Sequence, residues 1–209
     1  MTTPTSPQLE RGVDADALDD RALDVLFRAA RTANNFSDEP VDESTLRDLY
    51  ELVKWAPTSA NTSPLRIVYV TSDEGKERLL PHVYEMNQAK VASAPVSAIL
   101  AVDGSFHDRI PELFPFRPEM RDRFVDESVR EPIGRFNAAI QIGYFILAAR
   151  AVGLTAGPLA GFDSAGVDAE FLGGTDWRSL LIVNLGHPGE NPWFDRLPRL
   201  SYEDAVREV

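Results

Sequence analysis

The sequence of 209 residues predicts an α+β domain, and two kinds of pattern support this prediction. Short apolar runs at 65–70, 95–102 and 179–186 are bounded by polar or turn residues, like strands in the middle of a sheet. Apolar residues at helical spacing occur before and between these runs. With 44% hydrophobic residues, the chain can bury a sizeable core. We expect one domain over 19–209, preceded by a flexible tail over 1–18.

The first predicted helix ends beside a possible ligand contact. Arg31 follows its last turn, where the side chain can swing towards a ligand. The apolar residues of this helix are Leu23, Leu26, Phe27 and Ala30.

Residues 1–12 lack both the basic region and the apolar run of a signal peptide or membrane anchor, so we expect a soluble cytoplasmic protein.

A second helix leads into a polar loop, residues 56–66, which is the most informative part of the chain. Asp42 can cap this helix and Pro57 ends it. In the loop, Ser59 and Asn61 offer hydroxyl, amide and backbone N–H groups to a planar polar ligand. An ordinary polar turn fits the same residues. The apolar residues of the helix are Leu46, Leu49, Leu52 and Val53.

A long helix is predicted over 133–152, with apolar residues around most of its circumference. A monomer of this size offers few partners for such a helix, so part of its surface should meet a second subunit. Arg135, Gln141 and Arg150 interrupt the apolar stretch, which is too short to cross a bilayer. The apolar residues are Phe136, Ile140, Tyr144, Phe145, Leu147 and Ala148.

The segment 103–131 combines helix-breaking prolines with several phenylalanines. Three prolines lie within it and Pro132 follows it, so we expect these positions to break helices. The phenylalanines make the segment too apolar for a free linker. Two roles remain open for it: a lid over a ligand site, or an arm that wraps a second subunit.

Charge and composition exclude several classes of function. The net charge is −12, from 21 basic and 33 acidic residues, which argues against binding nucleic acid. The chain has no cysteine, and its three histidines are scattered, so we expect neither a thiolate nucleophile nor a metal centre. The sequence also lacks a Ser-His-Asp set, a carboxylate pair and a P-loop. A cofactor would therefore have to carry any reaction.

The polar loop resembles the flavin-binding loop of the nitroreductase family. In that family a helix ending in Ala-Pro-Ser-Ser-x-Asn-x-Gln-Pro-Trp-Arg leads into the first core strand. Further segments resemble motifs of the same family in the same order along the chain, and the ordered set is far more specific than any one segment. The resemblance spans the chain from Leu23 to the C-terminus. The matching loop residues are Ala56, Pro57, Thr58, Ser59, Asn61, Pro64 and Arg66.

Two segments resemble the family's phosphate-binding motifs. Residues 31–36 are a degraded form of Arg-x-Ser-x-Arg/Lys-x-Phe, with the arginine one position closer to the phenylalanine. Residues 196–201 resemble the basic C-terminal segment that returns to the FMN phosphate. Such local positive charge is needed because the acidic chain would otherwise repel a phosphate. The implied phosphate-site residues are Arg31, Thr32, Asn34, Arg196 and Arg199.

Two other segments resemble motifs that surround the flavin ring. Residues 87–90 match Asn-x-x-Lys, whose side chains reach the ring edge. Residues 157–163 match the loop Pro-x-Glu-Gly-Phe-Asp, whose backbone N–H groups point at flavin N5, with Ala160 in place of the glutamate. Gly161 would let this loop approach the ring because it has no side chain. The implied flavin contacts are Thr58, Ser59, Asn61, Asn87, Lys90, Pro158, Leu159, Ala160 and Gly161.

The resemblance implies a fold, an assembly and a cofactor. The expected fold is a three-layer α/β/α sandwich with a central, mostly antiparallel sheet, assembled as an entwined homodimer. Each FMN site would be built from both chains, with NADH or NADPH as the reductant and a small molecule as the second substrate. Hydride would pass through flavin N5 in a ping-pong reaction, without a catalytic side chain or a metal.

Within the family, the chain most resembles the malonic semialdehyde reductase branch. The shared segments are 30–34, 54–68, 157–163 and 196–201. This resemblance implies reduction of malonic semialdehyde to 3-hydroxypropionate. The absence of a carboxylate at Ala160 fits an anionic substrate, which would meet less repulsion there. A nitroaromatic or quinone reductase of the same family is an alternative, and so is a flavin-binding protein without turnover.

Overall fold

A computed structural model describes residues 17–209. The chain divides into two compact units, with the boundary in the sequence between Ala30 and Arg31. In the first unit, a short helix, α1 (Asp20–Leu23), continues into a π-helical turn, Asp24–Arg28. Asp19 caps α1 by accepting a hydrogen bond from the backbone N–H of Ala22. None of residues 17–30 is buried; of the predicted apolar face, Leu23, Leu26 and Ala30 are half-buried and Phe27 is exposed. Residues 1–16 of the predicted tail lie outside the described residues.

The second unit is built on a four-stranded sheet. Its strands are β1 (Leu65–Val70), β2 (Val96–Asp103), β3 (Thr155–Leu159) and β4 (Trp177–Gly186). The order across the sheet is β1-β2-β4-β3, and every neighbouring pair is antiparallel. The pairing of β2 with β4 shifts between Leu100 and Ala101. The predicted antiparallel sheet is therefore confirmed.

The strand predictions differ in how well they match this sheet. The predicted and observed ends of β1 agree. The observed β2 lies one residue later than predicted at both ends, and β4 begins two residues earlier than predicted. β3 was not predicted, because Gly157 and Pro158 are weak strand formers and resemble a loop. β3 is an edge strand, a place where proline is tolerated. A close backbone contact explains the glycine in this strand, because a Cβ at Gly157 would lie only 2.6 Å from the carbonyl oxygen of Ala33.

Seven helices belong to the second unit, with short 3-10 turns between them. The helices are α2 (Glu43–Val53), α3 (Asp73–Leu79), α4 (Glu85–Ser93), α5 (Ile110–Leu113), α6 (Glu127–Ala151), α7 (Ser164–Phe171) and α8 (Tyr202–Ala205). The predicted α2 is confirmed, although the side chain of Asp42 makes no capping hydrogen bond and Leu52 is exposed. No helix in the described part of the chain is long and apolar enough to span a membrane.

The helices cover both faces of the sheet and so produce three layers. One core lies between the sheet and helices α2 and α6, and it includes Leu49, Leu100 and Phe145. A second core contains Val91 of α4 and Ile99, together with residues of α3 and α7. Leu100 and Ile99 are neighbours in β2 and join different cores because side chains alternate along a strand. The three-layer α/β/α arrangement is thus confirmed.

Helix α6 begins six residues earlier than predicted and contains Pro132, so the prediction that this proline breaks the helix is wrong. Asp126 caps the helix by accepting a hydrogen bond from the N–H of Ser128. Pro132 is exposed, and the packing of the helix beyond it outweighs the lost hydrogen bond. Within one chain, α6 buries one face, while Phe136 and Tyr144 on another face are exposed.

The segment 103–131 folds around a small apolar cluster of its own. Phe106, Ile110 and Phe124 are buried there, and the rings of Phe106 and Phe124 lie 5.5 Å apart. Val129 and Ile133 of α6 pack against this cluster. The segment is therefore anchored to the first turns of α6, as its apolar content requires.

Candidate functional site

The polar loop between α2 and β1 adopts an unusual backbone conformation. Three of its residues have positive φ angles without being glycine: Ala60 (50°), Asn61 (50°) and Ser63 (41°). This conformation costs a side-chain-bearing residue about 1–3 kcal/mol, so the surrounding structure must hold the loop in place. Backbone strain of this kind clusters at functional sites, so this polar loop is a candidate for ligand binding.

Hydrogen bonds from several elements fix this loop. Thr58 accepts a bond at Oγ1 from the N–H of Ser63, at 3.1 Å. Asn61 donates from Nδ2 to the carbonyl of Leu113, at 2.8 Å, which ties the loop to the segment 103–131. Helix α6 supplies two further acceptors, the side-chain amides of Asn137 and Gln141. Neither was predicted to contact the loop: Gln141 stood out only as a polar residue in the long apolar helix, and Asn137 gave no signal in the sequence.

A second group joins Asn87 to the loop after β3. Asn87 lies on α4 with 8% of its surface exposed, and its Nδ2 donates to the carbonyl of Gly161 at 3.2 Å. The same carbonyl accepts the N–H of Tyr84 at 3.0 Å. Lys90 lies one turn further along α4 and is half-buried. The structure thus brings together two motifs that are 74 residues apart in the sequence.

The other residues predicted to contact the flavin ring lie at the end of β3 and in the turn that follows it. Pro158 and Leu159 are the last residues of β3, paired with Val183 and Ile182 of β4. Ala160 is exposed, and its carbonyl accepts the N–H of Phe162 at 3.1 Å. The pairing with β4 fixes the end of β3, and the bond from Asn87 to Gly161 holds the following turn beside α4.

A third group contains the predicted phosphate residues and part of the C-terminal segment. The guanidinium of Arg31 donates to the carbonyl of Phe194, and the N–H of Asn34 donates to the carbonyl of Pro192 at 2.9 Å. Asn34 also donates from Nδ2 to the carbonyl of the exposed Thr32, at 3.3 Å. Arg31 is therefore held beside the stretch that leads to Arg196.

Arg199 differs from Arg31 in its contacts. Its guanidinium donates to the carbonyls of Leu197 and Pro198, at 2.9 and 3.0 Å, within its own exposed segment. Among residues 17–209, no hydrogen bond joins Asn61 to Asn87 or either of them to Arg31. The Arg31–Asn34 segment nevertheless adjoins β3, because the N–H of Ala33 donates to the carbonyl of Ala156 at 3.2 Å.

A groove of about 680 Å³ lies beside the strained loop and is lined by Asn61, Ser63, Arg66, Tyr69 and Trp177, among others. Arg66 donates to Asp103 at 2.6 Å, and its guanidinium lies 6.0 Å from the ring centre of Trp177. Burial raises the pKa of Tyr69 to about 12, because the ionised phenolate would be poorly solvated. The charge of Arg66 is therefore paired, and the hydroxyl of Tyr69 is buried without a hydrogen-bond partner in the described structure.

Comparison with known proteins gives a consistent set of matches. The Nitroreductase family matches residues 14–187. A Streptomyces coelicolor protein, provisionally named an NADH dehydrogenase/NAD(P)H nitroreductase, is 57% identical over 182 residues, covering 87% of this chain and 90% of the relative. A Streptomyces griseus protein with the same name is 50% identical over 193 residues, covering 92% and 98%.

Solved structures agree in fold at much lower sequence identity. The structure of a protein from Exiguobacterium sibiricum, described provisionally as a nitroreductase in complex with FMN, has a TM-score of 0.79 and 19% identity. The match covers 92% of this chain and 98% of that one. At this identity the likeness shows the fold.

Proposed function

This chain belongs to the nitroreductase family, and we propose that it is an FMN-dependent oxidoreductase that uses NADH or NADPH as reductant. One observation carries the proposal: the bond from Asn87 to the carbonyl of Gly161, which unites the motif proposed for the ring edge with the one proposed for N5. The strained loop with Asn61 supplies the third motif. The names of the Streptomyces relatives support the reductant.

The residues present suit FMN in their chemistry. Arg31 and Arg196 lie in segments that the structure connects, and they offer positive charge to a phosphate in a chain of net charge −12. Asn87 and Lys90 offer an amide and a cation to the polar edge of the flavin ring. Thr32, Asn34 and Arg199 complete the proposed phosphate site. Thr58, Ser59, Asn61, Pro158, Leu159, Ala160 and Gly161 complete the proposed contacts with the ring and ribityl chain.

When bound, FMN would accept a hydride from NAD(P)H and pass it to a second substrate on the same face. The protein's own residues would bind and orient. Lys90 would stabilise negative charge at the ring edge, and the backbone of Ala160 and Gly161 would approach the ring. The proposal assigns no side chain a role as general acid or base. In residues 17–209 there is no group of three or more side chains that could hold a metal ion.

We also propose that the protein is a homodimer in which both chains contribute to each site. Helix α6 supports this, because Phe136 (68% exposed) and Tyr144 (42%) lie on an apolar face that one chain leaves uncovered. A second subunit packed on this face would cover it.

For the second substrate, we favour malonic semialdehyde, reduced to 3-hydroxypropionate. The supporting observations are the branch-like segments and the exposed Ala160, which offers no carboxylate where the family has a glutamate. The nearby Asp163 carboxylate is occupied in capping α7, where it accepts the N–H of Ala165. Asp163 thus remains a negative charge near the turn, and Ala160, which carries no charge, is the residue that favours an anionic substrate.

Reduction of a nitroaromatic compound or a quinone is the second candidate, favoured by the nitroreductase names of the relatives. The two candidates differ in the charge of the substrate. A screen of malonic semialdehyde, neutral aldehydes and nitroarenes under equal conditions would separate them. The highest kcat/KM for a neutral nitroarene would overturn the semialdehyde proposal.

The oxidoreductase proposal itself is tested by the spectrum of the purified protein. FMN-loaded protein should be yellow, and NADH or NADPH should bleach it without oxygen. A protein that binds FMN and is bleached by neither nucleotide would instead be a flavin-binding protein without turnover. A protein that binds no FMN would overturn the proposal altogether.

A further inference from the structure

Two buried amides of helix α6 hold the two ends of the strained polar loop. Asn137 is 2% exposed, and its Oδ1 accepts the N–H of Ser59 at 2.7 Å. Gln141 is 4% exposed, and its Oε1 accepts the N–H of Leu65 at 2.9 Å. The two residues are four positions apart and so lie on the same face of the helix. One helix face therefore contacts both ends of the stretch 59–65 within the polar loop.

The backbone that lies between these two contacts is the strained one. Ala60, Asn61 and Ser63, with their positive φ angles, all fall between Ser59 and Leu65. A loop in this conformation relaxes unless its ends are fixed. We call the two bonds from α6 to the loop, made by Asn137 and Gln141, the clamp. Asn137 is itself held in place, because it also donates from Nδ2 to the carbonyl of Ile133 at 2.8 Å, one turn back along α6.

We propose that Asn137 and Gln141 are positioning residues that hold the loop 59–65 in the conformation that receives the flavin. This inference rests on the proposed function, since it assigns the loop to FMN. Neither amide is proposed to touch the cofactor. Their contribution is to preorganise the loop, so that binding does not have to order it. They also extend the site into helix α6, beyond the motifs recognisable in the sequence.

Two variants replace the amides by apolar side chains of similar length and so remove the acceptor oxygens: Asn137→Leu and Gln141→Met. Each leaves a buried backbone N–H without a partner, so the dissociation constant for FMN should rise about tenfold or more. Gln141→Glu keeps an acceptor oxygen and should recover much of the affinity. Ile142→Ala is the matched control, because Ile142 is adjacent on α6 and belongs to the sheet core. It should lower the thermal midpoint while changing the FMN dissociation constant less than about twofold.

Amide hydrogen exchange on the protein without FMN gives a readout that does not depend on activity. Exchange at Ser59 and Leu65 should be slow in the wild type, faster in the variants that lack the acceptor, and slow in Ile142→Ala. Unchanged exchange in the variants would show that the amides do not clamp the loop. Faster exchange with wild-type FMN affinity would show that the clamp does not serve the flavin. Either result overturns the inference. If the wild type binds no FMN, the proposed function fails, and the exchange data alone then decide whether the clamp exists.

Discussion

Gly161 illustrates how packing within one chain can disfavour a side chain at a motif position. A Cβ at this position would lie 2.4 Å from Nδ2 of Asn87 and 3.4 Å from Cδ2 of Tyr84. The close approach that excludes a side chain is therefore to Asn87 of the same chain. The motif suggested approach to the flavin ring as the reason. Its φ angle is not in the positive range, so packing and not backbone conformation requires the glycine.

This packing gives a prediction. Gly161→Ala should destabilise the protein by about 1–3 kcal/mol, because the new methyl group must displace the Asn87 amide. In an Asn87→Ala background the same change should cost clearly less, because the obstructing amide is gone. Urea unfolding of the four proteins in this cycle measures the difference. Equal costs in both backgrounds would contradict the contact.

Arg199 gives a second prediction at this scale. Its present contacts are two carbonyls of an exposed segment, which contribute little to folding. Arg199→Ala should therefore leave the unfolding free energy nearly unchanged but weaken FMN binding about tenfold, if one charge-assisted bond to the phosphate is lost. Arg47→Ala, at an exposed surface pair with Glu43, is the control and should change neither quantity much. Wild-type FMN affinity in Arg199→Ala would remove this residue from the site.

Among the elements, the segment 103–131 contains a histidine, His107, through which we expect acid to lower the stability of the fold. Burial, which disfavours the charged imidazolium, lowers the pKa of His107; Arg130 and Arg121 lower it further, while Asp108 and Asp103 oppose them. In the described structure, Nδ1 of His107 is buried without a hydrogen-bond partner. A proton added to this ring is therefore poorly accommodated in the folded segment.

The expected effect of pH follows from the direction of this shift. The folded pKa lies below the ordinary value of 6.5, so the unfolded state takes up the proton first as the pH falls. Stability that is present above pH 6.5 should be lost below it, and His107→Gln should reduce that loss. Urea unfolding of both proteins at about pH 7.5 and about pH 5 measures the difference. An identical loss in both would exclude His107 as the cause.

At the scale of the whole molecule, the exposed apolar face of α6 with Phe136 and Tyr144 bears on the oligomeric state. Light scattering should give about twice the chain mass of 23.1 kDa. Phe136→Glu places a charge on that face and should shift the protein towards the monomer. Arg47→Ala changes the net charge by the same amount elsewhere and should leave the mass unchanged. A monomeric wild type that binds FMN fully would contradict the shared-site proposal.

Local patterns in the sequence determined most of the fold. The apolar run of β1, the spacing of Leu46, Leu49 and Val53 in α2, and the part of α6 after Pro132 each depend on residues close together in the chain. The family motifs are also local, so the fold and the family followed from the sequence. Interactions of this range need no knowledge of distant partners.

Only the tertiary structure decided the features that depend on distant residues. Gly157 and Pro158 form a strand because β4 offers them a partner, and Pro132 stays helical because α6 packs beyond it. Asn137 meets the loop across a separation of 78 residues, which no periodicity reveals. The reason is physical: a buried hydrogen bond or a close packing contact is specified by where two remote segments come together, and sequence spacing carries no record of that position.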